Sequence, residues 1–556
     1  MAEIDLFTRF ETQAMWRLPD SDRRYAGVFT FDPEHEITLK TTIYFDHTDW
    51  LLFRELHELP IIHLTDEKGQ RWTLFDSVVV SLGTGSVQFF INYAIEGFHF
   101  ASIEALLFRS YQIRLPYLDT WLKHNPFRHS VLDEGSEQWH YIRPENIEIN
   151  LPDKDLCLVL GGARNSIANS DPPSVSVTYH TGIVVKRSDE GIAPLDWLQE
   201  QTFYFIEFLS LLLGRPLWRI SIRLVTEDSE LCNLIFRQTI ERGPDQIHTL
   251  DVLVPFQDIK ENFTNIIEKW FQVANACAPA IELLAGFRSD RSGFLQNKLL
   301  MLTTAFEVFH RRTQNGIYML AKDYQSQYET MVQNIPGNIG KDHRNALKKR
   351  LEYGNEYSLR KRFSVFFKEL PEPILEFFPD RDKFVDQVVD WRNQLTHYSE
   401  YEATLNLRKT EELYLLCRRL EMLIIIALLR QVGVDYETLT LGLANCQHYR
   451  DLAAAKTPPQ NLAHSKNLNI KGIFWDYPDL QNEDNLRKRL ATGNDAERNW
   501  ILARMLDYGR VVDTMRLFDI SEIRNRLYYL PLRKETKDKI IQKWTRLIEV
   551  YAAKGK

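Results

Sequence analysis

Alternation of apolar and polar positions along residues 1 to about 185 predicts a region rich in β-strands. The segment GVFTFDPEHEITLKTTIYF (27–45) predicts a strand, a turn that contains Pro33 and a second, alternating strand. The segment PIIHLTDEKGQRWTLFDSVVV (60–80) repeats this pattern, with DEKG as the hairpin turn. Because each alternating strand buries one face, the simplest arrangement is an antiparallel, sandwich-like pair of sheets.

Further along, the apolar period changes from two residues to about 3.6, which predicts helices. A first helix is expected over 194–217, since Pro194 precedes it and a Gly-Arg-Pro sequence ends it. From about 262 to 433 several amphipathic segments follow one another and predict an all-α helical bundle. The apolar run MLIIIALL (422–429) is far shorter than a membrane span and is predicted to be a fully buried helix.

These patterns divide the chain of 556 residues into four predicted segments. They are a β-rich N-terminal domain, a helical bundle, a polar linker with two consecutive prolines, and a small C-terminal helical domain. Their predicted bounds are 1–260, 261–440, 441–472 and 473–556. The expected fold class is therefore α+β and multidomain, in agreement with a length that exceeds a single ordinary core.

Composition narrows the class of protein. Hydrophobic residues make up 44% of the chain, as in a folded globular protein, and the net charge of −8 disfavours a protein that coats nucleic acid. A mildly acidic enzyme can still contact RNA through a local basic surface. The five scattered cysteines form no CxxC pair, which fits a reducing cytosol, and the N-terminal segment has no signal-peptide pattern. A cytoplasmic protein without a membrane partner is expected.

The helical segment VVDWRNQLTHYSE (388–400) combines apolar positions with Arg392, Asn393 and His397. Arginine offers a planar, permanently charged fork of donors that suits phosphate, and histidine titrates near neutral pH. Such a pair can cleave RNA without a metal. The imidazole moves the proton of the 2′-hydroxyl or of the leaving oxygen, and the guanidinium stabilises the transition state. Asn393 would orient either group or bind the phosphate, and the expected product is a 2′,3′-cyclic phosphate.

Helix geometry limits how this pair can act. Five residues rotate about 500° on an ideal helix, so positions 392 and 397 lie roughly 140° apart. They can converge if His397 lies just past the helix end, or if a second copy of the helix faces the first. Since the bundle contains this pair once, the second arrangement predicts a homodimer through the bundle, and dimers could pair further. The structural alternative is that both are ordinary side chains at a helix end.

The segments FLQNKLLMLTTAFEVFHR (294–311) and 351–398 resemble the HEPN domain of the ApeA type. HEPN nucleases carry the motif R-x4-6-H, often with a polar residue after the arginine, and the three residues named above match it position by position. The strands GVFTFDPEHEITLK and IIHLTDEKGQRWTLFDS are similar to the β-rich domain that precedes ApeA-type HEPN domains. The resemblance implies abortive anti-phage defence by an RNA-cleaving endonuclease, with tRNA as one candidate target.

The segments that flank the bundle carry no catalytic motif. Residues 473–556 resemble a small uncharacterised helical domain through an FWDY start (474–477) and a central ARMLDYG (503–509). The β-rich domain, with its broad loops, is expected to suit recognition of a phage-derived trigger or a regulatory partner. The glycine pair in LVLGGARNS (158–166) lacks the lysine and the GKS/T ending of a P-loop, so no nucleotide site is predicted there.

A basic stretch lies within the bundle. Residues 341–362 contain eight Lys or Arg against three Asp or Glu, which suits the backbone of RNA. The alternative is a solvated helix face. The candidates for RNA contact are Arg344, Lys348, Lys349, Arg360 and Arg362.

Glu307 is a carboxylate on an otherwise apolar helix. It is expected to pair with Arg392, to orient His397, or to form a structural ion pair within the bundle, and the last of these is favoured. No cofactor and no metal site are expected, because the histidines of the β-rich domain have no carboxylate at a ligand-like interval and no HExxH motif occurs.

Two functions from different classes fit the sequence. The first is a metal-independent RNA endonuclease that works as a homodimer. The second is a non-catalytic sensor, in which the bundle serves dimerisation and the β-rich half binds a phage-derived ligand or partner. The presence of Arg392, Asn393 and His397 together favours the first. A metal-dependent hydrolase is a third class, and the chain lacks its motifs.

Overall fold

The structure is a computed structural model that describes the chain in several ranges. These are 3–41, 58–83, 86–131, 137–170, 173–290, 293–397, 407–454, 473–474, 477–508, 514–515, 517–533 and 537–553. The chain forms two compact units, Met1–Ala455 and Lys456–Lys556.

The N-terminal part of the first unit is built from strands. They are β1 (Phe10–Arg17), β2 (Tyr25–Phe31), β3 (Ile37–Thr41), β4 (Glu58–Asp66), β5 (Arg71–Gly83), β6 (Ser86–Glu96), β7 (Leu107–Phe108), β8 (Ser110–Arg114), β9 (Phe127–Val131), β10 (Glu137–Tyr141), β11 (Ile147–Leu151), β12 (Leu156–Ser170), β13 (Pro173–Arg187), β14 (Ala193–Pro194), β15 (Ser221–Val225) and β16 (Leu231–Phe236).

Six of these strands close into a barrel. The neighbours run in the order β6, β3, β2, β1, β4 and β5, and β5 pairs again with β6. The closure depends on β6, whose first half pairs with β3 from Val87 to Ile91 while its whole length pairs with β5. The predicted β-rich region is confirmed, but its strands form a barrel rather than two facing sheets, because β6 is long enough to bind a neighbour on each side.

The second half of β6 continues the sheet beyond the barrel. It pairs with β16, and the order then runs through β15, β8, β13, β12 and β11. The strands of this extension pair antiparallel, and in β8 and β13 buried residues alternate with more exposed ones. We call these six strands the sheet extension.

Helices make up most of the remaining chain. They are α1 (Leu118–Leu122), α2 (Leu195–Leu213), α3 (Phe256–Ile259), α4 (Phe263–Ser289), α5 (Leu295–Gln314), α6 (Ala321–Gln333), α7 (Lys341–Glu352), α8 (Leu359–Glu369), α9 (Glu372–Leu375), α10 (Arg381–His397), α11 (Leu407–Gln431), α12 (Tyr436–Asn445), α13 (Gln447–Ala454), α14 (Glu483–Thr492), α15 (Asp495–Tyr508), α16 (Ile520–Arg526) and α17 (Lys537–Ala553).

The helices predicted from the apolar period are confirmed. Helix α2 follows Pro194 and ends at Gly214, whose φ of 71° suits the residue that closes a helix. In α11 every residue from 422 to 429 is buried, as expected for the apolar run. Helix α4 contains Pro279 and is kinked at Cys277, because proline cannot complete the helical hydrogen bonds. No helix in the described ranges combines the length and apolar character needed to cross a bilayer.

One hydrophobic core runs from the strands into the bundle. Across the predicted boundary near 260, the indole of Trp270 donates to the backbone oxygen of Tyr204 at 2.8 Å, and its ring lies 5.3 Å from the ring of Phe208. The β-rich region and the bundle therefore belong to one compact unit, and the division at 260 marks a change of secondary structure within it.

The predicted linker 441–472 is wrong over its first part. Residues up to 454 belong to α12 and α13, and Leu443 and Tyr449 are buried in the first core. A Cβ at Gly442 would lie 1.8 Å from the backbone oxygen of Leu253. Helix α12 therefore packs directly against the backbone at Leu253. The polar composition of this segment reflects short helices with one buried side. Residues 455–472 lie outside the described residues.

The second unit has its own helical core, which includes the buried side chains of Phe474, Met505 and Trp544. Phe474 opens the FWDY sequence and Met505 lies in ARMLDYG, so both sequence marks contribute to this core. The predicted α+β fold class is confirmed: strands come first, then the bundle, then a small helical unit.

Candidate active site

A cavity of about 440 Å³ opens where four parts of the bundle meet. Helices α5, α8 and α10 contribute to it, together with the connection between α7 and α8. Its lining residues are Glu307, Arg311, Tyr353, Glu356, Tyr357, Ser358, Leu359, Arg360, Val389, Arg392 and Asn393.

Helix α10 turns its apolar side toward α5 and α8 and places Arg392 at the end of that side. Phe384 and Val388 are buried, and Arg392 follows Val388 by four residues, so the buried row of the helix continues into the guanidinium. Arg392 is half-buried and Asn393 is exposed. The apolar anchors of the helix thus fix the position of two predicted catalytic residues in the cavity wall.

The guanidinium of Arg392 is not neutralised by its described surroundings. Its Nη1 donates to Oδ1 of Asn393 at 3.2 Å, and within the described ranges it forms no ion pair with a carboxylate. Arginine in a half-buried cavity without a carboxylate partner can donate its remaining N–H groups to an anion. Asn393 holds one edge of the Arg392 guanidinium in place.

His397 is the last residue of α10. Its side chain lies outside the described residues. Because position 397 still belongs to the helix, it lies about 140° around the axis from position 392. The structure therefore places Arg392 and Asn393 together in the cavity wall, and it places His397 by its backbone alone.

Two carboxylates of the cavity are bound by arginine. Glu307 accepts from Nη2 of Arg311 at 3.3 Å, and the same nitrogen lies 2.8 Å from Oε2 of Glu356. Glu307 forms no ion pair with Arg392, and its contact with Arg311 on the same helix corresponds to the structural alternative for this residue. Both carboxylates are half-buried.

Arg362 is not available to RNA, and its prediction as an RNA contact is wrong. The side chain is fully buried. Its Nε donates to the backbone oxygen of Tyr357 at 3.1 Å, and its Nη1 donates to Nδ1 of His310 at 3.2 Å. Burial, followed by the nearby charge of Arg362, lowers the pKa of His310 to about 4, so the neutral ring accepts this hydrogen bond. Arg362 supports the connection that carries the cavity tyrosines.

The other predicted RNA contacts occupy different positions. Lys349 is exposed on α7, and Lys348 and Arg344 are half-buried there. Arg344 also donates to a backbone oxygen at 3.3 Å, which holds it against the bundle. Arg360 lines the cavity and forms an ion pair with Asp386. The basic stretch is therefore split between the cavity wall, the surface of α7 and the buried support.

Sequence reasoning missed most of the other lining residues, among them Arg311, Tyr353, Glu356 and Tyr357. Arg311 follows Glu307 by four residues, a spacing that could have indicated the ion pair. The tyrosines lie in LEYGNEYS, between α7 and α8, and no periodic pattern distinguishes them. Tyr353 is 68% exposed, and Tyr357 packs edge-on against the ring of Tyr318 at 4.8 Å.

The described side chains do not form a metal-binding cluster. Across the residues that the structure describes, no group of three or more His, Cys, Asp and Glu side chains is placed to hold a metal ion. In the β-rich region His99 stacks on His63 at 4.6 Å and bonds to the backbone oxygen of Leu64 at 2.9 Å. This histidine therefore has a structural role.

Two family models match the chain. The model for ApeA N-terminal domain 1 matches residues 11–270, and the model for Apea-like HEPN matches residues 300–438. The matched ranges occur in the expected order, cover more than two thirds of the chain, and place the whole cavity within the second range. The chain is an ApeA-type HEPN protein.

HEPN domains are generally nucleases, so the family match supports a protein of the nuclease type. Comparisons with curated proteins and with solved structures gave no match. The resemblance of the strands and of the bundle to ApeA-type proteins is confirmed by the two models, each over the region where the sequence indicated it.

Proposed function

We propose that this ApeA-type HEPN protein is a metal-independent RNA endonuclease that acts as a homodimer in anti-phage defence. The main support for the proposal is that the arginines lining the cavity differ in whether they have a carboxylate partner. Arg311 and Arg360 are paired with carboxylates, whereas Arg392 has no such partner among the described residues. A phosphate would supply the missing negative charge.

The proposed reaction uses the 2′-hydroxyl of RNA as the nucleophile. Its oxygen attacks the adjacent phosphorus, the bond from phosphorus to the 5′-oxygen breaks, and a 2′,3′-cyclic phosphate remains. Arg392 binds the non-bridging oxygens and stabilises the charge that grows on them. His397 removes the proton of the 2′-hydroxyl or returns one to the leaving 5′-oxygen. Asn393 keeps the guanidinium oriented.

The position of His397 as the last residue of α10 supports a homodimer. With residues 392 and 397 about 140° apart on one helix, the alternative in which the histidine lies beyond the helix end loses support. A second copy of α10 that faces the first would bring two arginines and two histidines to one scissile phosphate, one histidine as base and the other as acid.

Recognition of RNA would use the rim of the cavity. Tyr353 presents an exposed ring that suits stacking of an unpaired base. Lys348 and Lys349 lie on α7, which leads into the same rim, and they would attract the RNA backbone. Such contacts favour single-stranded RNA, for which an exposed tRNA loop is one candidate.

The test compares the full chain with variants in bacteria and in purified form. Arg392→Ala and His397→Ala are each expected to lower the rate of RNA cleavage by at least about 100-fold and to remove toxicity during phage challenge. Arg381→Ala, at the exposed start of the same helix, and His343→Ala, exposed on α7, are matched controls that should keep wild-type activity. Sequencing of the RNA ends should reveal 2′,3′-cyclic phosphates, and cleavage should persist in excess EDTA.

Equal toxicity and equal RNA integrity in wild type and both variants would contradict the assignment. If the wild-type chain bound a phage component but never cut RNA under challenge, the alternative of a non-catalytic HEPN sensor would replace it. Sedimentation of the purified chain should give a dimer, and a monomer with full activity would contradict the two-chain site.

A further inference from the structure

A second and larger cavity lies on the sheet extension, with a volume of about 720 Å³. All of its lining residues belong to the β-rich region. They are Glu3, Gln112, Ile113, Arg114, Arg143, Asn146, Val159, Gly161, Gly162, Ala163, Arg164, Thr178, His180, Gly182, Ile183, Val184 and Arg223. We call this feature the basic cavity.

Strand register brings two arginines to the same face of the sheet. Arg223 on β15 lies opposite Gln112 on β8, and Arg114 lies two residues further along β8. Residues directly opposite on antiparallel strands, and residues two apart on one strand, share a face. Arg114 and Arg223 are therefore diagonal neighbours, both half-buried, on the face that lines the cavity.

Arg114 is held in place by its surroundings. Its Nη2 donates to Nε2 of His180 at 3.1 Å, and its Nη1 lies 3.8 Å from a carboxylate oxygen of Glu3. Burial, followed by the charge of Arg114, lowers the pKa of His180, so the ring is neutral at pH 7 and can accept this hydrogen bond. An arginine oriented in this way loses little freedom when it binds a ligand.

Glycines leave the floor of the cavity without side chains. Gly161 and Gly182 are opposite each other, and Gly182 is opposite Arg114 on the next strand. A Cβ at Gly182 would lie 2.9 Å from the backbone oxygen of Ile113, and one at Gly161 would lie 2.6 Å from Oδ1 of Asn146. A side chain at Gly182 would press against backbone, and one at Gly161 would displace Asn146, so glycine keeps the floor of the cavity flat.

The residues that line the basic cavity carry a net positive charge, in contrast to the chain as a whole. Four arginines and one glutamate line the cavity, whereas the whole chain carries −8. The guanidinium of Arg164 lies 5.1 Å from the centre of the Tyr141 ring, which holds this arginine at the rim. Several arginines around one concave site suit an anion with more than one charged group.

We propose that the basic cavity binds a small ligand with linked phosphate groups, of the class of nucleoside triphosphates. Arg114 and Arg223 hold the phosphates over the glycine floor. The volume is that of a small-molecule site, which favours this ligand over a long RNA strand. The sequence predicted no nucleotide site here because a P-loop is missing. The arginines come from strands far apart in the chain, and only the fold brings them together.

The test is calorimetric titration of the full chain with inorganic tripolyphosphate and with ATP. Both are expected to bind once per chain. Arg114→Gln should weaken both by at least about tenfold, because a charge-assisted contact is lost. Gln112→Glu should do the same by placing a carboxylate next to Arg223, and this solvent-facing change leaves the core intact. Arg109→Gln, an exposed arginine just before β8, is the matched control and should stay within twofold of wild type.

Binding of neither probe at millimolar concentration would overturn the proposal, as would equal affinity in wild type and in a Gln112→Glu chain with an unchanged melting temperature. A ten-nucleotide single-stranded RNA should not displace tripolyphosphate. If the RNA did displace tripolyphosphate, and if Gln112→Glu weakened the binding of RNA and of tripolyphosphate equally, the cavity would be an RNA site and not a site for a small ligand. None of these measurements depends on RNA cleavage, so this proposal and the nuclease proposal can fail separately.

Discussion

Three arginines in and beside the cavity differ at the residue scale in what surrounds them. Arg362 lies behind the cavity and is buried, hydrogen-bonds to His310 and a backbone oxygen, and lies 3.5 Å from a carboxylate oxygen of Glu356. Arg311 bridges two carboxylates. Arg392 is held by Asn393 alone among its described neighbours. The bundle therefore contains arginines that support the structure and one that can bind a ligand, and burial with ion pairing separates them.

His310 should make stability depend on pH. Its pKa is lowered to about 4, while the unfolded chain titrates near the ordinary value of about 6.5. Between these values the unfolded state binds a proton that the folded state does not, so the free energy of unfolding is at its full value above pH 6.5 and decreases as pH falls toward 4. His310→Gln should reduce this slope by about 1 kcal/mol per pH unit, measured by urea unfolding at several pH values.

His343→Gln provides the control for this measurement, since His343 is exposed on α7. Its slope should equal that of wild type. A His310→Gln chain with the wild-type slope would show that the buried ring does not titrate as proposed.

At the scale of elements, one buried arginine joins two helices of the bundle by an ion pair and a helix of the β-rich region by a hydrogen bond. Arg288 on α4 lies 3.3 Å from Glu421 on α11, and it also donates to the backbone oxygen of Ser210 on α2. Both charged side chains are buried. A buried charge that loses its partner is strongly destabilising, because water cannot replace the lost contact.

Glu421→Gln should therefore lower the free energy of unfolding of the first unit by about 3 kcal/mol. Glu483→Gln is the matched control, because Glu483 pairs with Arg487 at the surface of the second unit, and it should cost about 0.5 kcal/mol or less. Urea unfolding measures both. Similar small costs for the two variants would contradict a structural role for the buried pair.

The elements that the sequence predicted are those whose signal is local. Helix α10 shows its apolar period directly, and Ser358 caps α8 by accepting from the backbone N–H of Lys361. The closure of the barrel was not predicted, because the dual pairing of β6 depends on strands far apart in the chain. Helices α12 and α13 were missed because they have only ten and eight residues, too few turns to reveal a period.

In the candidate site too, the sequence revealed the residues whose signal is local. Arg392 and Asn393 were found because a motif places them next to each other in the sequence. Arg311 and Tyr353 reach the cavity from two other parts of the bundle, and tertiary packing alone brings them there. The pairing of Glu307 was one of several options that the sequence allowed, and helix α5 itself supplied the partner.

At the scale of the whole molecule, the first unit should fold without the second, provided that its last two helices are kept. A chain that ends at Ala455 keeps the entire first core. A chain that ends at Leu441 loses four buried side chains, each worth at least about 1.5 kcal/mol, for a total of about 6 kcal/mol. That approaches the whole stability of a typical protein. The four side chains are Leu443, Cys446, Tyr449 and Leu452.

We expect the 1–455 chain to be soluble with one cooperative thermal transition, and the 1–441 chain to aggregate or to lose that transition. Calorimetry and size-exclusion chromatography distinguish these outcomes. A 1–441 chain as stable as the 1–455 chain would mean that α12 and α13 are not part of the first core.

The contact between Trp270 and Tyr204 also bears on how such proteins can diversify. Because the β-rich region and the bundle share this packing, a chimaera that joins the β-rich region of one relative to the bundle of another must carry matched residues on both sides of the junction. The helical unit after residue 455 has a hydrophobic core of its own. Lineages should therefore exchange that terminal unit readily and inherit the other two regions together.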